Sequence, residues 1–185
     1  MKANTHELSF NGKLLGRGFL FFVLVMKPPR KKNLYYVGRT GDSSSHNAQS
    51  PFNRMGQHLG FNEKSNVLRR HLDGKNIDPE TCSFRLIAHG PIVKEAKTKD
   101  EHWKRRDSIA AMEKALAEEM IAAGYNVINT VKCLKKLDVT KFASVKLFFP
   151  EDKFNRTLQG QFKSIERIAL KVENIIALKS GSGVV

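Results

Sequence analysis

The sequence is poor in the residues that mark disulfide-stabilised or metal-scaffold proteins. Only two of its 185 residues are cysteine, and Cys82 and Cys133 form neither a CxxC pair nor a spacing typical of a metal site. A disulfide framework is therefore not expected, and a reducing cytoplasm is the expected compartment.

Long apolar segments are also missing. The main apolar run, residues 19–26, is too short to cross a bilayer, so no membrane association is expected. Residues 14–26 are followed by two prolines and a basic turn instead of a small-residue cleavage site, which argues against a secretion signal.

Acidic residues are scarce relative to basic ones. The chain has 18 Asp and Glu against 32 Lys and Arg, which gives a formal net charge of +14. Such a surplus favours a polyanionic partner, because each neutralised phosphate releases counterions. The competing explanation is that the charge serves solubility alone. An anionic membrane is a less favoured partner, because the basic residues are spread along the chain. A purely structural protein fits the charge poorly.

The hydrophobic pattern predicts three strands and three helices in one α+β domain. Strands are predicted at residues 19–26, 34–37 and 83–88, the first of them buried on both faces. Helices are predicted at 51–60, 62–72 and 98–123, from their proline, capping-box and glycine boundaries. This order is typical of a small three-stranded antiparallel sheet flanked by helices.

The domain has predicted extensions at both ends. Residues 1–14 are polar and predict an N-terminal arm, and residues 15–131 hold the predicted domain. Residues 132–185 form a mainly helical C-terminal extension, with a short apolar piece at 145–149 and an amphipathic helix at 158–178.

Two side chains on the first predicted helix are suited to phosphate chemistry. Arg54 and His58 are four residues apart, so both project from one face. A guanidinium binds a phosphate through two hydrogen bonds, and an imidazole one turn away can relay a proton or bind the same phosphate. The alternative is a pair of solvated side chains on a basic face.

A carboxylate on the long alanine-rich helix is a candidate Mg²⁺ ligand. Glu113 lies among apolar helical neighbours, where a charge needs a cation or a donor. One carboxylate, completed by water and a phosphate, is a common way to hold Mg²⁺. Glu119 has similar neighbours, so the helical pattern does not separate the two, whereas Glu118 can pair with Lys114 on the helix surface.

Two further residues have both a structural and a functional interpretation. Tyr36 is either a core aromatic or a site residue; it shares a strand face with Gly38, and Tyr35 points to the other face. Asn126, just after Gly124, either stabilises a turn after the long helix or is a site residue.

The order of these residues resembles the GIY-YIG nuclease family over roughly residues 15–131. The matching residues are Tyr36-Val37-Gly38 for the second motif, followed by Arg54, His58, Glu113 and Asn126. The resemblance implies that Tyr36 helps to activate water, Arg54 binds the scissile phosphate and Glu113 anchors one Mg²⁺ or Mn²⁺ ion. It implies that His58 orients or shuttles a proton and that Asn126 is the late asparagine of the family.

The first motif departs from the family. Gly18-Phe19-Leu20 stands at the GIY position, so leucine replaces a tyrosine whose hydroxyl belongs to the site. Two functions therefore stay open: a metal-dependent DNA endonuclease of restriction, mobile-element or repair type, and a non-catalytic nucleic-acid-binding module. In both, the predicted DNA contacts are basic residues around the second strand: Arg30, Lys31, Lys32 and Arg39. A homodimer also stays open, because a double-strand cut by a one-site enzyme needs two copies.

Overall fold

A computed structural model describes residues 5–42 and 47–138 of the chain. The strands are β1 (Phe19–Lys27), β2 (Leu34–Arg39) and β3 (Ser83–Val93), and the α-helices are α1 (Pro51–Leu59), α2 (Val67–Asp73) and α3 (Lys99–Ala122). The three strands form one antiparallel sheet in the order β2-β1-β3, which confirms the predicted α+β class. The elements predicted at 145–149 and 158–178 lie outside the described residues.

β1 is the centre of the protein. It is buried on both faces from Phe19 to Met26, as the uninterrupted apolar run predicts. One face of the sheet packs against α3, and the other packs mainly against α2, with α1 beside it. Among the residues that the structure describes, no helix has the length and apolar content needed to cross a membrane.

The helix boundaries follow local capping chemistry. Ser50 accepts a hydrogen bond from the backbone N–H of Asn53 and Pro51 occupies the first turn, so α1 begins where predicted. Thr98 caps α3 in the same way, through the N–H of Glu101. Both helices are followed by glycine, and Gly124 takes the left-handed conformation with φ +85°.

Three element boundaries predicted from the sequence are wrong, the first being that β2 ends at Arg39 and not at residue 37. α2 begins at Val67 and not at residue 62, because the side chain and the carbonyl of Asn62 bind the N–H groups of residues 64–66 in a separate turn. β3 continues to Val93, beyond the predicted end at residue 88. The Gly90-Pro91 pair is typical of a turn, so it predicts the end of the strand, but proline is tolerated on an edge strand such as β3.

The outer edge of β2 is covered by the segment after α3. The carbonyl of Asn126 accepts from the N–H of Tyr35, and the Asn129 side chain makes two hydrogen bonds to the backbone of Val37, at 3.0 and 2.8 Å. Asn129 is buried, so this amide satisfies backbone groups that water cannot reach. It therefore fixes the strand that carries Tyr36.

Asn129→Ala is expected to lower the free energy of unfolding by about 2–4 kcal/mol, because two buried backbone groups of Val37 lose their partners. Thermal or urea unfolding measures the loss. Asn126→Ala is the matched control, since Asn126 is exposed and contributes its backbone to this edge. Equal stability of the two variants would contradict a structural role for the Asn129 amide.

Candidate active site

The phenol of Tyr36 lies at the boundary between β2 and α1. Tyr36 is 5% exposed and faces α1 and α2, whereas Tyr35 packs on the opposite face, edge-on to Tyr125. The Oη atom of Tyr36 lies 3.4 Å from Nδ1 of His58. The predicted alternation of the two tyrosines is therefore confirmed, and Tyr36 makes a polar contact that a simple core aromatic would lack.

Arg54 and His58 form a connected pair on α1. Nη2 of Arg54 lies 3.2 Å from Nε2 of His58 and 2.6 Å from the carboxylate of Asp42, and Nη1 donates to Gln57 at 2.8 Å. His58 is 4% exposed, and Arg54 is half-buried. The alternative of two solvated side chains on a basic face is therefore wrong.

These contacts fix the tautomer of His58. A guanidinium only donates hydrogen bonds, so Nε2 of His58 must accept from Arg54. Burial, together with the charge of Arg54, lowers the pKa of His58 to about 3, so the ring is neutral. A neutral ring that accepts at Nε2 carries its proton on Nδ1 and donates it to Tyr36. The donors therefore run from Arg54 through His58 to the phenolic oxygen of Tyr36.

Glu113 reaches the same region from α3 and is held by Arg39. Oε2 of Glu113 lies 2.9 Å from Nε of Arg39, and both side chains are largely buried. Nη1 of Arg39 also donates to the carbonyl of Arg106. Arg39, predicted as part of the DNA-binding surface, thus lies inside the site as the counter-ion of Glu113.

Burial controls the ionisation of these groups. It raises the pKa of Glu113 to about 7, although Arg39 acts in the opposite direction and Asp42 adds to the increase. Burial also raises the pKa of Tyr36, followed in size by the charge of Glu113, so the free protein holds a neutral phenol. Because Asp42 and Arg54 influence both groups, the cluster behaves as one electrostatic unit.

Phe22, and not Leu20, lies beside the catalytic candidates on β1. The strand register places Phe22 opposite Gly38, and a Cβ on Gly38 would lie within 3 Å of the Phe22 ring. The same ring lies 5.9 Å from the His58 ring, between centroids. Gly38 is therefore required by this aromatic packing, and the first strand brings a ring without a hydroxyl to the site.

Leu20 lies further along the same sheet face, away from this contact. It lines a cavity of about 730 Å³ between the N-terminal arm, α1 and β3, in which Phe10 stacks on Phe52. The position of Phe22 depends on the pairing register of β1 and β2, which the sequence motif alone does not give.

The remaining predicted site residues lie apart from the cluster. The side chain of Asn126 is exposed, and the buried asparagine of this segment is Asn129. The basic turn between β1 and β2 is exposed, as a DNA-contacting surface requires, and consists of Arg30, Lys31 and Lys32. Sequence reasoning missed Asp42 and Gln57, whose only signal is their closeness in sequence to Arg54.

The donor set allows a divalent metal only with help from a substrate. Within residues 5–42 and 47–138, no group of three acidic, histidine or cysteine side chains is arranged to hold a metal alone. Glu113 and Asp42 supply two carboxylates whose charges disfavour each other, and Mg²⁺ is often held by one or two carboxylates with phosphate oxygens and water. The residues therefore fit a Mg²⁺ or Mn²⁺ ion that is bound together with a phosphate.

The chain matches no protein-family model, no curated protein and no solved structure. Its function therefore has to follow from the geometry of this cluster.

Proposed function

We propose that the protein is a metal-dependent endonuclease that hydrolyses DNA phosphodiester bonds, with a site of the GIY-YIG type. The observation that carries this proposal is that side chains from β2, α1, α3 and the segment after β2 form two groups of contacting residues, largely or fully buried, whose charges influence each other. Their members are Tyr36, Arg39, Asp42, Arg54, His58 and Glu113. Phosphodiester hydrolysis needs a group that accepts a proton from water, a cation at phosphorus and support for the leaving oxygen.

The chain's own residues supply the first two requirements. Tyr36 would act as the phenolate: its own proton passes to solvent when the substrate binds, its oxygen then accepts the proton of the attacking water, and the hydrogen bond from His58 stabilises the negative charge on that oxygen. Arg54 exchanges its contact with Asp42 for a phosphate oxygen and offsets the charge that develops there. Gln57 keeps the guanidinium in place during that exchange.

Glu113, with Asp42 nearby, would hold the metal ion. When bound, a divalent cation supplies the positive charge that stabilises the leaving oxygen. Arg39 orients the Glu113 carboxylate through one oxygen. Two free thiols support a reducing, cytoplasmic compartment, and a double-strand cut would require a homodimer.

Plasmid nicking is the direct test. Purified full-length protein is incubated with supercoiled plasmid and Mg²⁺ or Mn²⁺, with and without a chelator. Nicked or linear product that requires metal supports the proposal. Absence of product with either metal, on plasmid and on branched or single-stranded DNA, would contradict it.

A non-catalytic nucleic-acid-binding module is the second candidate function, favoured by two observations. Phe22 brings no hydroxyl to the site, and both carboxylates are already paired, Glu113 with Arg39 and Asp42 with Arg54. This candidate predicts salt-dependent DNA binding, with a slope of roughly −0.9 per phosphate contact, and no cleavage under any of the conditions above.

Arg54→Ala is expected to reduce the cleavage rate by roughly 10²-fold or more, because one preorganised cation at the phosphate is lost. Arg54→Lys should recover only part of the rate, since an ammonium cannot contact Asp42, Gln57 and His58 from one planar group. Single-turnover rates on labelled duplex measure both variants. Wild-type activity in Arg54→Lys would show that the planar group is not needed.

Cleavage is expected to rise with pH through about 7. The pKa of Glu113 is raised to about 7, so below that pH the carboxyl is protonated and cannot hold a cation. Because metal and proton compete for the same group, more Mg²⁺ should move the midpoint to lower pH. Rate–pH profiles at two Mg²⁺ concentrations measure this effect, and a midpoint that does not respond to Mg²⁺ would contradict it.

A further inference from the structure

Phe61, directly after α1, presents an aromatic face to solvent. Its side chain is 78% exposed, which is unusual for a phenylalanine. The guanidinium of Arg69, from α2, lies over the ring at 4.1 Å from its centroid. One face of the ring is therefore covered by a cation, and the other face is available to a ligand.

The position of the Phe61 ring is fixed by Arg69 of α2 as well as by the loop that carries Phe61. Nε of Arg69 donates to the carbonyl oxygen of Leu59 at 2.8 Å, so the guanidinium is anchored to the end of α1 while it stacks on Phe61. The guanidinium is attracted to the electron-rich face of the Phe61 ring, so this contact helps to hold the ring in place. Phe61 is thus a supported platform.

The surroundings of Phe61 carry positive charge. Residues 61–75 contain four basic side chains against two acidic ones, Glu63 and Asp73. The four basic side chains are Lys64, Arg69, Arg70 and Lys75. None of them takes part in an ion pair among the described residues. All except Arg69 are exposed. This surface complements a polyanion that carries flat aromatic groups, which is the chemistry of a nucleic acid.

Phe61 also lies close to the candidate active site. It follows His58 by three residues, so their Cα atoms are at most about 11 Å apart. The helix that carries Arg69 packs through Leu68 and Leu72 on the same sheet face as Tyr36. A DNA strand whose phosphate contacts Arg54 would therefore place a neighbouring nucleotide near Phe61.

We propose that Phe61, supported by Arg69, stacks on an unpaired nucleobase next to the bond that is cut. Inside a duplex the base faces are covered by their neighbours, so stacking requires a base that is single-stranded, branched or frayed. This inference rests on the proposed function and adds a substrate class to it: DNA with an unpaired nucleotide near the cleavage point.

Binding without metal tests the stacking independently of cleavage. The full-length protein is titrated, in chelator, with a single-stranded DNA oligonucleotide containing 2-aminopurine, with the same sequence as RNA, and with the blunt duplex. Phe61→Ala should bind the single-stranded DNA roughly 5- to 100-fold more weakly and lose the fluorescence quenching caused by stacking. Phe61→Trp should keep both, and Phe61→Leu should behave like Phe61→Ala.

Matched controls make every outcome decisive. Ile121→Ala removes another exposed apolar side chain, on α3, and should bind like wild type. If Phe61→Ala or Phe61→Leu binds single-stranded DNA with wild-type affinity, the proposed stacking is wrong. A loss confined to RNA would overturn DNA as the ligand. If wild type binds as expected but nicks nothing, the proposed cleavage fails while the stacking stands.

Discussion

Glu113→Ala is expected to reduce cleavage to the background of the assay while DNA binding stays close to that of wild type. Glu113 is the only carboxylate that α3 contributes to the cluster, and its loss removes the expected ligand of the metal ion. Glu113→Gln is the more stringent variant, because its amide oxygen can still accept a hydrogen bond from Arg39 but carries no charge. Both should be inactive in metal-dependent nicking, and Mg²⁺ should no longer raise the melting temperature of either variant in complex with DNA.

Glu118→Ala is the matched control on the same helix. Glu118 is exposed and pairs with Lys114 at 3.7 Å, so the substitution changes the same charge outside the site. Glu119 is a less suitable control, because its Oε2 atom is buried without a hydrogen-bond partner. If Glu113→Gln cleaves DNA at the wild-type rate, Glu113 is not the metal ligand. If Glu119→Ala alone abolishes cleavage, the ligand is Glu119.

Tyr36→Phe is expected to reduce the single-turnover rate by roughly 10²- to 10⁴-fold with DNA affinity unchanged, which is the range for loss of a general acid or base. The substitution removes one oxygen from a side chain that packs against the His58 ring at 5.0 Å between centroids, so the ring and the core keep their volume. The neighbouring ring on β1 is Phe22, which has no hydroxyl to replace it. The loss should therefore appear in the chemical step.

Tyr35→Phe removes the same atom from the opposite face of β2 and should leave cleavage close to wild type. Full activity of Tyr36→Phe would show that His58 or solvent activates the water. Phe22→Tyr is an informative companion, because it would place a second phenol beside His58; a faster Phe22→Tyr variant would show that a hydroxyl from β1 assists cleavage.

Local features of the fold were readable from sequence, whereas long-range pairings were not. The burial of β1, the caps of α1 and α3 and the alternation of Tyr35 and Tyr36 depend on neighbouring residues, and the structure confirms them. The start of α2 was missed because Asn62 offers its own hydrogen-bonding groups to the backbone, in competition with the helix.

The site could be predicted in part for the same reason. The Arg54–His58 pair follows from helical spacing, but the partners that come from other elements do not. Arg39 has the composition of a surface cation, and only the packing of α3 on the sheet brings Glu113 within 2.9 Å of it. Asn129 likewise gains its role from the return of the chain to β2, which no local pattern distinguishes from the turn at Asn126.

The two ion pairs of the site have a consequence for how ligands enter it. Above about pH 7, where Glu113 is ionised, two carboxylates and two guanidinium groups balance, and His58 is neutral, so the resting cluster carries no net charge. A phosphate that takes Arg54 from Asp42 leaves negative charge behind, and a cation that takes Glu113 from Arg39 leaves positive charge behind. Each ligand therefore offsets the imbalance that the other creates, and by thermodynamic reciprocity the affinity for each must rise when the other is bound. On the proposed function, the site would therefore bind its metal ion weakly until DNA is in place.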